Sequence, residues 1–439
     1  MHQVQWRVDG KGMVRKSLLA LARLPWPRST PAPRVTAAAW ATLATASVLS
    51  ALQLAIAHDW QTDLHEVQTW IAVWTTGASP YRAIYGVDYP PHAFGVLWFF
   101  SLSSSAQGFA INAWFNAALS VAGCYLLVRW FAQLSESSLS RLETTSFVCM
   151  LLSSRAVRRS IGFGQTFPLV LILFITAMLL ARRRPVLAGL CFALASFKLN
   201  LAAGFGLALL LLGHTMPLVV AGVIVVALTM AFAWSVHEPV VAVMSSYADS
   251  FIHVYGGVDF LIGVTGLRSA LTALVSDFRM VQLTYPFAIG VLLVILVGLS
   301  LRRRPDDARL RAIAVVACLL WSFASLTHQR HNTLLLFHAV WIVQWADRGV
   351  LQNRFARWAL STGALLLLVI NIPDSIESRL VEVSARLPAS FQLIGGAIAR
   401  LINEHGTRVV VLISLFLVLR SLAMAPALSE RRGGDQRTG

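Results

Sequence analysis

Asp63, Arg158, Arg159, Gln165, Lys198 and His331 are the residues in this chain whose types fit one chemistry. A carboxylate in a protected site can take the proton of a hydroxyl group. Arginine, lysine and histidine can bind a phosphate and neutralise charge that grows on it. Together they suit a reaction in which a hydroxyl attacks and a lipid phosphate leaves. Arg155, His328, Arg330, Glu66 and Tyr81 stand close by in sequence and are secondary candidates.

Each of these residues also has a plainer reading. Asp63-x-x-Glu66 has the spacing of a helix capping box, and Asp is a strong N-cap. Arg155, Arg158 and Arg159 suit headgroup anchors at a membrane surface. Lys198 suits a snorkelling side chain. His328 and His331 suit structural histidines. Asp249 and Asp259 are too sparse to hold a metal, and no metal or cofactor is expected. The "GFGQ" stretch (162–165) lacks the strand–turn–helix context of a nucleotide loop. "DYPPH" (88–92) reads as a proline-stiffened turn.

The elements that must carry these residues follow from composition. The chain has 439 residues, 57% of them hydrophobic and only 13% charged, where a soluble domain carries roughly 25% charged residues. Apolar runs of about 18 or more residues recur, the length that crosses a bilayer as a helix. The expected fold is an all-α polytopic membrane protein with about 12 transmembrane helices, in a range of about 10–13. Spans are expected at 36–57, 106–130, 143–156, 165–181, 186–198, 200–213, 216–236, 284–301, 311–327, 332–346, 357–372 and 408–424. Residues 1–35 form a basic tail, 36–424 a single transmembrane domain and 425–439 a second tail.

The net charge of +16 sits in short clusters between apolar runs. Such clusters mark topology rather than nucleic-acid binding. With the N-terminus in the cytoplasm, the connections "RWFAQLSESSLSRLE", "ARRRPV", "LRRRPDDARLR" and "ADRGVLQNRFAR" and the tail "SERRGGDQR" are all cytoplasmic and all carry Arg. The stretch "PVLAGLCFALASFKLNLAAGFGLALLLLG" must then break near Lys198. A single helix would put Lys198 near mid-membrane, at a cost of about 3 kcal/mol. The outer side thus receives Asp63, the Arg155–Arg159 cluster, Lys198 and His328–His331. Arg155, Arg158, Arg159 and Arg330 stand on the side where basic residues are rare.

Asp63, Val67, Trp70 and Trp74 recur at helical spacing, so Asp63 reads as the start of a helix lying in the membrane interface. Gly77 stops it, with Pro80 beyond. The long outer loop 237–283 carries Tyr247 and Tyr255, with Tyr285 just beyond it, aromatic residues suited to acceptor contacts or to the interface itself. Cys124, Cys149, Cys191 and Cys318 lie within apolar runs and read as small core residues.

In their order, these stretches resemble glycosyltransferase family 87, of the membrane-embedded GT-C class. The likeness rests on an Asp after the first span followed by "GASPY", on "YGVDYPPHAFGVLW", on "GFGQTFPLVLILFITAMLLARRRPVLAGLCFALASFKLNLA", and on a His-containing turn after the ninth span. It runs over roughly residues 40–345. The family's Lys is usually followed by Pro, where Leu199 and Asn200 stand here. The resemblance implies an outward-facing cavity and a polyprenyl-phosphate-linked sugar donor that enters from the bilayer, with mannose or arabinose as reasonable sugars. The acceptor would be a hydroxyl of a lipid or cell-envelope glycan. The family's catalytic Asp maps onto Asp63, its Gln and Lys onto Gln165 and Lys198, and its late His onto His331 or His328, with His331 preferred. The composition fits a bacterial plasma membrane, with both termini cytoplasmic and the active site outside. A flippase or transporter of lipid-linked sugars, a glycan ligase and a structural envelope subunit are the rival readings. The first would need polar residues on both faces and at the midplane.

Overall fold

The structure is a computed structural model. It describes residues 33–56, 62–84, 86–101, 106–134, 136, 138–256, 288–298 and 308–325, with Tyr285 and Leu335 as isolated positions. Helix makes up 85% of it, and no strand occurs among the described residues. Helices satisfy their own backbone groups, as a lipid environment requires.

In chain order the helices are α1 (Pro33–Ile56), α2 (Thr62–Thr75), α3 (Ala106–Leu134), α4 (Arg141–Leu152), α5 (Arg155–Gly162), α6 (Phe167–Leu180), α7 (Pro185–Ala195), α8 (Leu199–Leu211), α9 (Thr215–Ser235) and α10 (Val240–Gly256). They are followed by α11 (Ala288–Gly298) and α12 (Ala308–Ser325). Short helical turns occupy Pro80–Ala83 and Pro91–Ser101 between α2 and α3. Of the apolar stretch at 92–104, too short to span, residues 92–101 fold into turns that bury Phe94 and Leu97 and leave Phe99 exposed.

By length and composition, α1, α3 and α9 can each cross a bilayer, and α5 with α6 makes a fourth span if that pair, bent by 119°, counts as one. Val219, Val223, Val226 and Met230 stand exposed along α9, as a lipid-facing helix permits. The spans expected at 143–156, 186–198 and 200–213 appear as helices of 12, 11 and 13 residues. At about 1.5 Å per residue these reach only about 16–20 Å, short of a hydrocarbon core of about 30 Å. Apolar runs overstated helix length because the chain breaks inside them. Ser153 and Ser154 end α4, and the Ser154 hydroxyl accepts from the Val157 N–H to start α5. The stretch expected as the outer loop 156–165 is therefore largely helical. The spans expected at 332–346, 357–372 and 408–424 lie outside the described residues.

Three packing facts fix how these helices lie together. α1 lies against α3, α4 and α5. α7 lies against α6 and α9, and the α9 contact is tight at Gly189, where an added Cβ would stand 2.6 Å from Val220 Cβ and 2.7 Å from the Pro217 carbonyl. α8 turns back from α7: the Phe192 ring reaches Gly206, and Phe205 stacks on Phe174 with centroids 4.8 Å apart. Rings of that size hold the α7 and α8 backbones apart. The break expected at Lys198 is present, since α7 ends at Ala195 and α8 begins at Leu199.

Candidate active site

α2 forms where its periodicity places it. Leu64, Val67, Trp70 and Ile71 are buried, one stripe at helical spacing. The stripe is covered by the chain itself: Trp74 packs on Phe94 and Phe232, and Trp70 meets the edge of Tyr89. Gly77, at φ +82°, stops the helix, with its N–H bonded to the Trp74 carbonyl at 2.9 Å. Because α2 begins at Thr62, Asp63 lies inside the first turn. A capping box needs its first residue outside the helix, so that plainer reading of Asp63 does not hold. A carboxylate in the first turn still faces the positive end of the helix dipole. A true capping box does occur elsewhere, at Ser140 and Glu143.

The segment 86–92 is a strap held at both ends and along its length. Gly86 has φ +89°, a conformation that glycine adopts without strain. The Ser250 hydroxyl of α10 donates to the Val87 carbonyl at 2.7 Å. The Tyr81 hydroxyl donates to the Tyr89 carbonyl at 2.6 Å. His92 Nε2 and the Ser196 hydroxyl are 3.0 Å apart. Tyr81 thus acts through the backbone of the strap. Its ring is packed among Phe94, Phe232 and Tyr247.

The strap delivers Tyr89 to Lys198. The Lys198 ammonium lies 5.0 Å from the centre of the Tyr89 ring. Phe197 packs edge-on against the same ring. The Tyr89 and Thr166 hydroxyls are 3.5 Å apart. Thr166 follows Gln165, which is 2% exposed and whose Oε1 accepts no hydrogen bond among the described residues. A buried polar atom in that condition is uncommon in folded proteins.

Electrostatics bind the group together. Burial opposes the charge on Lys198, but Tyr89, Asp88 and Asp63 outweigh it, and its pKa is raised above the usual lysine value. The Glu66 carboxyl is also raised, by desolvation first and then by Asp63 and Asp88. The Glu66 side chain reaches the surface, so this shift marks proximity to other carboxylates more than enclosure. Burial pushes Tyr89 up, with Lys198 opposing the shift. His92 is pushed down to about 4 by burial, so it is neutral near pH 7. Asp63, Glu66, Asp88, Tyr89 and Lys198 therefore share one field, with Thr166 and Gln165 beside it. Carboxyl groups beside a lysine held charged can divide proton transfer from anion stabilisation.

The three arginines are carried by α5. Arg155 and Arg158 are buried on α5, while Arg159 lies over the Phe163 ring at 5.9 Å. Burial in protein removes Arg155 and Arg158 from the headgroup-anchor reading. Tyr247, on α10, is buried against Tyr81 and Phe251, and its hydroxyl has no hydrogen-bond partner among the described residues. His328, Arg330 and His331 lie outside the described residues. A cavity of about 840 Å³ is lined by Tyr125, Arg129, Gln133, Glu136 and Thr144, at the ends of α3 and α4, and none of its lining residues belongs to the cluster. Among the described residues, no group of three or more His, Cys, Asp or Glu is placed to hold a metal ion.

Asp88 and Tyr89 are members that sequence reasoning missed. The signal was a charged and an aromatic residue set directly before two prolines, in a stretch otherwise read as a turn.

Neither a curated protein nor a solved structure matches the chain. The family model of glycosyltransferase family 87 matches residues 88–327. That match starts at Asp88 and includes the strap, Gln165 and Lys198. It leaves α2, with Asp63 and Glu66, outside on one side and His328 outside on the other. A match over more than half of its length places the chain in glycosyltransferase family 87, a family of GT-C type, and makes it a membrane-embedded glycosyltransferase.

Proposed function

We propose that the chain moves a sugar from a polyprenyl-phosphate donor to a hydroxyl of a lipid or cell-envelope glycan, at the outer face of a bacterial plasma membrane. The observation that supports this reading is the shared field of Asp63 and Lys198. A base and a cation held together serve both ends of one displacement.

Asp63 takes the proton of the acceptor hydroxyl as its oxygen attacks the anomeric carbon. The bond from that carbon to the phosphate oxygen breaks. The polyprenyl phosphate leaves with the electron pair, and its charge rises in the transition state. Lys198 meets that charge, with Gln165 as a hydrogen-bonding neighbour. Arg158, Arg159 and His331 complete the phosphate-binding set. Cations aimed at growing charge accelerate the step rather than merely bind. Glu66 lies in the same field, its pKa raised by desolvation and by Asp63 and Asp88. Both termini face the cytoplasm, and the aromatic wall of Tyr81 and Tyr247 belongs to the acceptor side.

The test is transfer by purified protein in proteoliposomes, from a radiolabelled polyprenyl-phosphate mannose or arabinose to added membrane lipid. A new labelled glycolipid is expected, and Lys198→Ala should abolish most of it while Arg182→Ala does not. Movement of intact labelled donor between leaflets, with no bond to a new acceptor, would favour the flippase reading instead.

A further inference from the structure

The strap at 86–92 holds a residue that the reaction as described leaves without a role. Asp88 sits between two carbonyls that are each tied down, Val87 by Ser250 and Tyr89 by Tyr81. Pro90 and Pro91 fix the backbone beyond it, and His92 joins the strap to Ser196. Ser196 lies two residues before Lys198, so the strap meets the α7–α8 turn at two points, His92 with Ser196 and Tyr89 with Lys198. Asp88 therefore rides on backbone fixed with respect to the Lys198 ammonium.

Lysine itself is rare in this chain. Of 36 basic Lys and Arg residues, lysine occurs only as Lys11, Lys16 and Lys198. Where a cation serves topology or packing, arginine stands. Lysine differs in having a compact charge on a flexible four-carbon stem that loses its proton when its surroundings do not support the charge. A lysine in a half-buried turn needs partners that fix both charge and direction. Tyr89 offers a ring face and a hydroxyl, and a nearby carboxylate supplies the opposite charge.

We propose that Asp88 is a positioning residue of the transferase site, which, with Tyr89 on the same clamped strap, keeps the Lys198 ammonium charged and oriented for the departing phosphate. Its carboxylate acts on Lys198 more strongly than that of Asp63, and it also acts on Glu66, Tyr81, Tyr89 and Tyr247. Asp63 is then left for the hydroxyl while Asp88 serves the lysine. The catalytic part of this inference rests on the sugar-transfer reading above. The lysine part does not.

Two measurements on the full-length protein in detergent separate the two. With ¹³C placed at lysine Cε, only Lys11, Lys16 and Lys198 give side-chain signals, and Lys198→Arg assigns the third. Titrated upward from pH 8, the Lys198 midpoint should lie above those of Lys11 and Lys16. Asp88→Asn should lower it, Asp63→Asn should lower it less, and Asp249→Asn, an exposed carboxylate on α10, should leave it in place. In the transfer assay, with a short-chain polyprenyl-phosphate mannose as probe, Asp88→Asn should reduce kcat by about 10–100-fold. It should also move the alkaline limb of the pH–rate profile downward, and Asp88→Glu should restore most of the rate. A Lys198 midpoint unmoved by Asp88→Asn, or moved more by Asp63→Asn, overturns the proposal whether or not transfer is seen. A parent that transfers no sugar while its Lys198 midpoint falls in Asp88→Asn refutes the sugar-transfer reading and leaves the lysine partnership standing.

Discussion

Two basic regions follow α2, and their surroundings differ. On α5, Arg155 and Arg158 are buried against neighbouring helices, and Arg159 lies over Phe163. At the α7–α8 turn, Lys198 is gathered with Tyr89, Asp88 and Asp63. The sequence presents both as cations on the wrong side of the membrane. At the second, Tyr89, Asp88 and Asp63 all act on the Lys198 charge. A cation out of topological place is a weak sign of a site until a partner of opposite role is found beside it.

The largest effect that tests this contrast is in rate. Lys198→Ala should lower transfer by about 10²–10³-fold while the melting temperature in detergent changes little. Arg158→Ala should do the reverse in part, melting markedly lower because it opens a packed helix contact, and losing less rate per unit of stability lost. Equal behaviour of the two variants in both assays would erase the distinction.

A smaller effect concerns the joint between the strap and the Lys198 turn. His92 has a folded pKa of about 4 against a reference of 6.5. The unfolded chain therefore takes up a proton first as pH falls. The stability that neutral His92 contributes is present above about pH 6.5 and is lost between there and about pH 4, up to about 3 kcal/mol. Thermal melts across this range should show an acid slope that His92→Gln reduces. An unchanged slope would mean the joint does not hold His92 neutral.

The smallest effect lies in the scaffold below. Gly189→Ala places a methyl group 2.6 Å from Val220 Cβ, and overpacking of this kind costs about 1–3 kcal/mol. The melting temperature should fall, and transfer at low temperature should fall only modestly. A rate loss as large as that of Lys198→Ala would show that α7 placement, rather than the local cluster, governs the turn.

How much of this was legible varies with distance along the chain. The end of α2 was readable because a buried stripe and a stop glycine at Gly77 are local signals. The break at Lys198 was readable because one charge interrupts a long apolar run. Local reading failed where two candidates looked alike: Asp63 and Glu66 have capping-box spacing, yet the capping box in the structure is at Ser140 and Glu143. The lengths of α4, α7 and α8 were overstated, since an apolar run does not reveal a turn made by Ser153–Ser154 or by small residues. The union of Tyr89 with Lys198 was invisible, because no periodicity links positions that far apart in the chain. It depends on how α2, the strap and α7 pack.

The central claim is that Asp63 is the base of a sugar transfer, and Asp63→Asn tests it most directly. Asn keeps the shape of Asp in the first turn of α2 and removes its charge, so the loss of helix-dipole stabilisation is about 0.3–1 kcal/mol and the protein should still purify and melt near the parent. Transfer from labelled polyprenyl-phosphate sugar should fall by about two to four orders of magnitude, while Glu66→Gln, three residues away, should retain most of it. Full activity of Asp63→Asn in that assay would contradict the account, and equal losses in both variants would reduce Asp63 to one of several negative charges at the start of the helix.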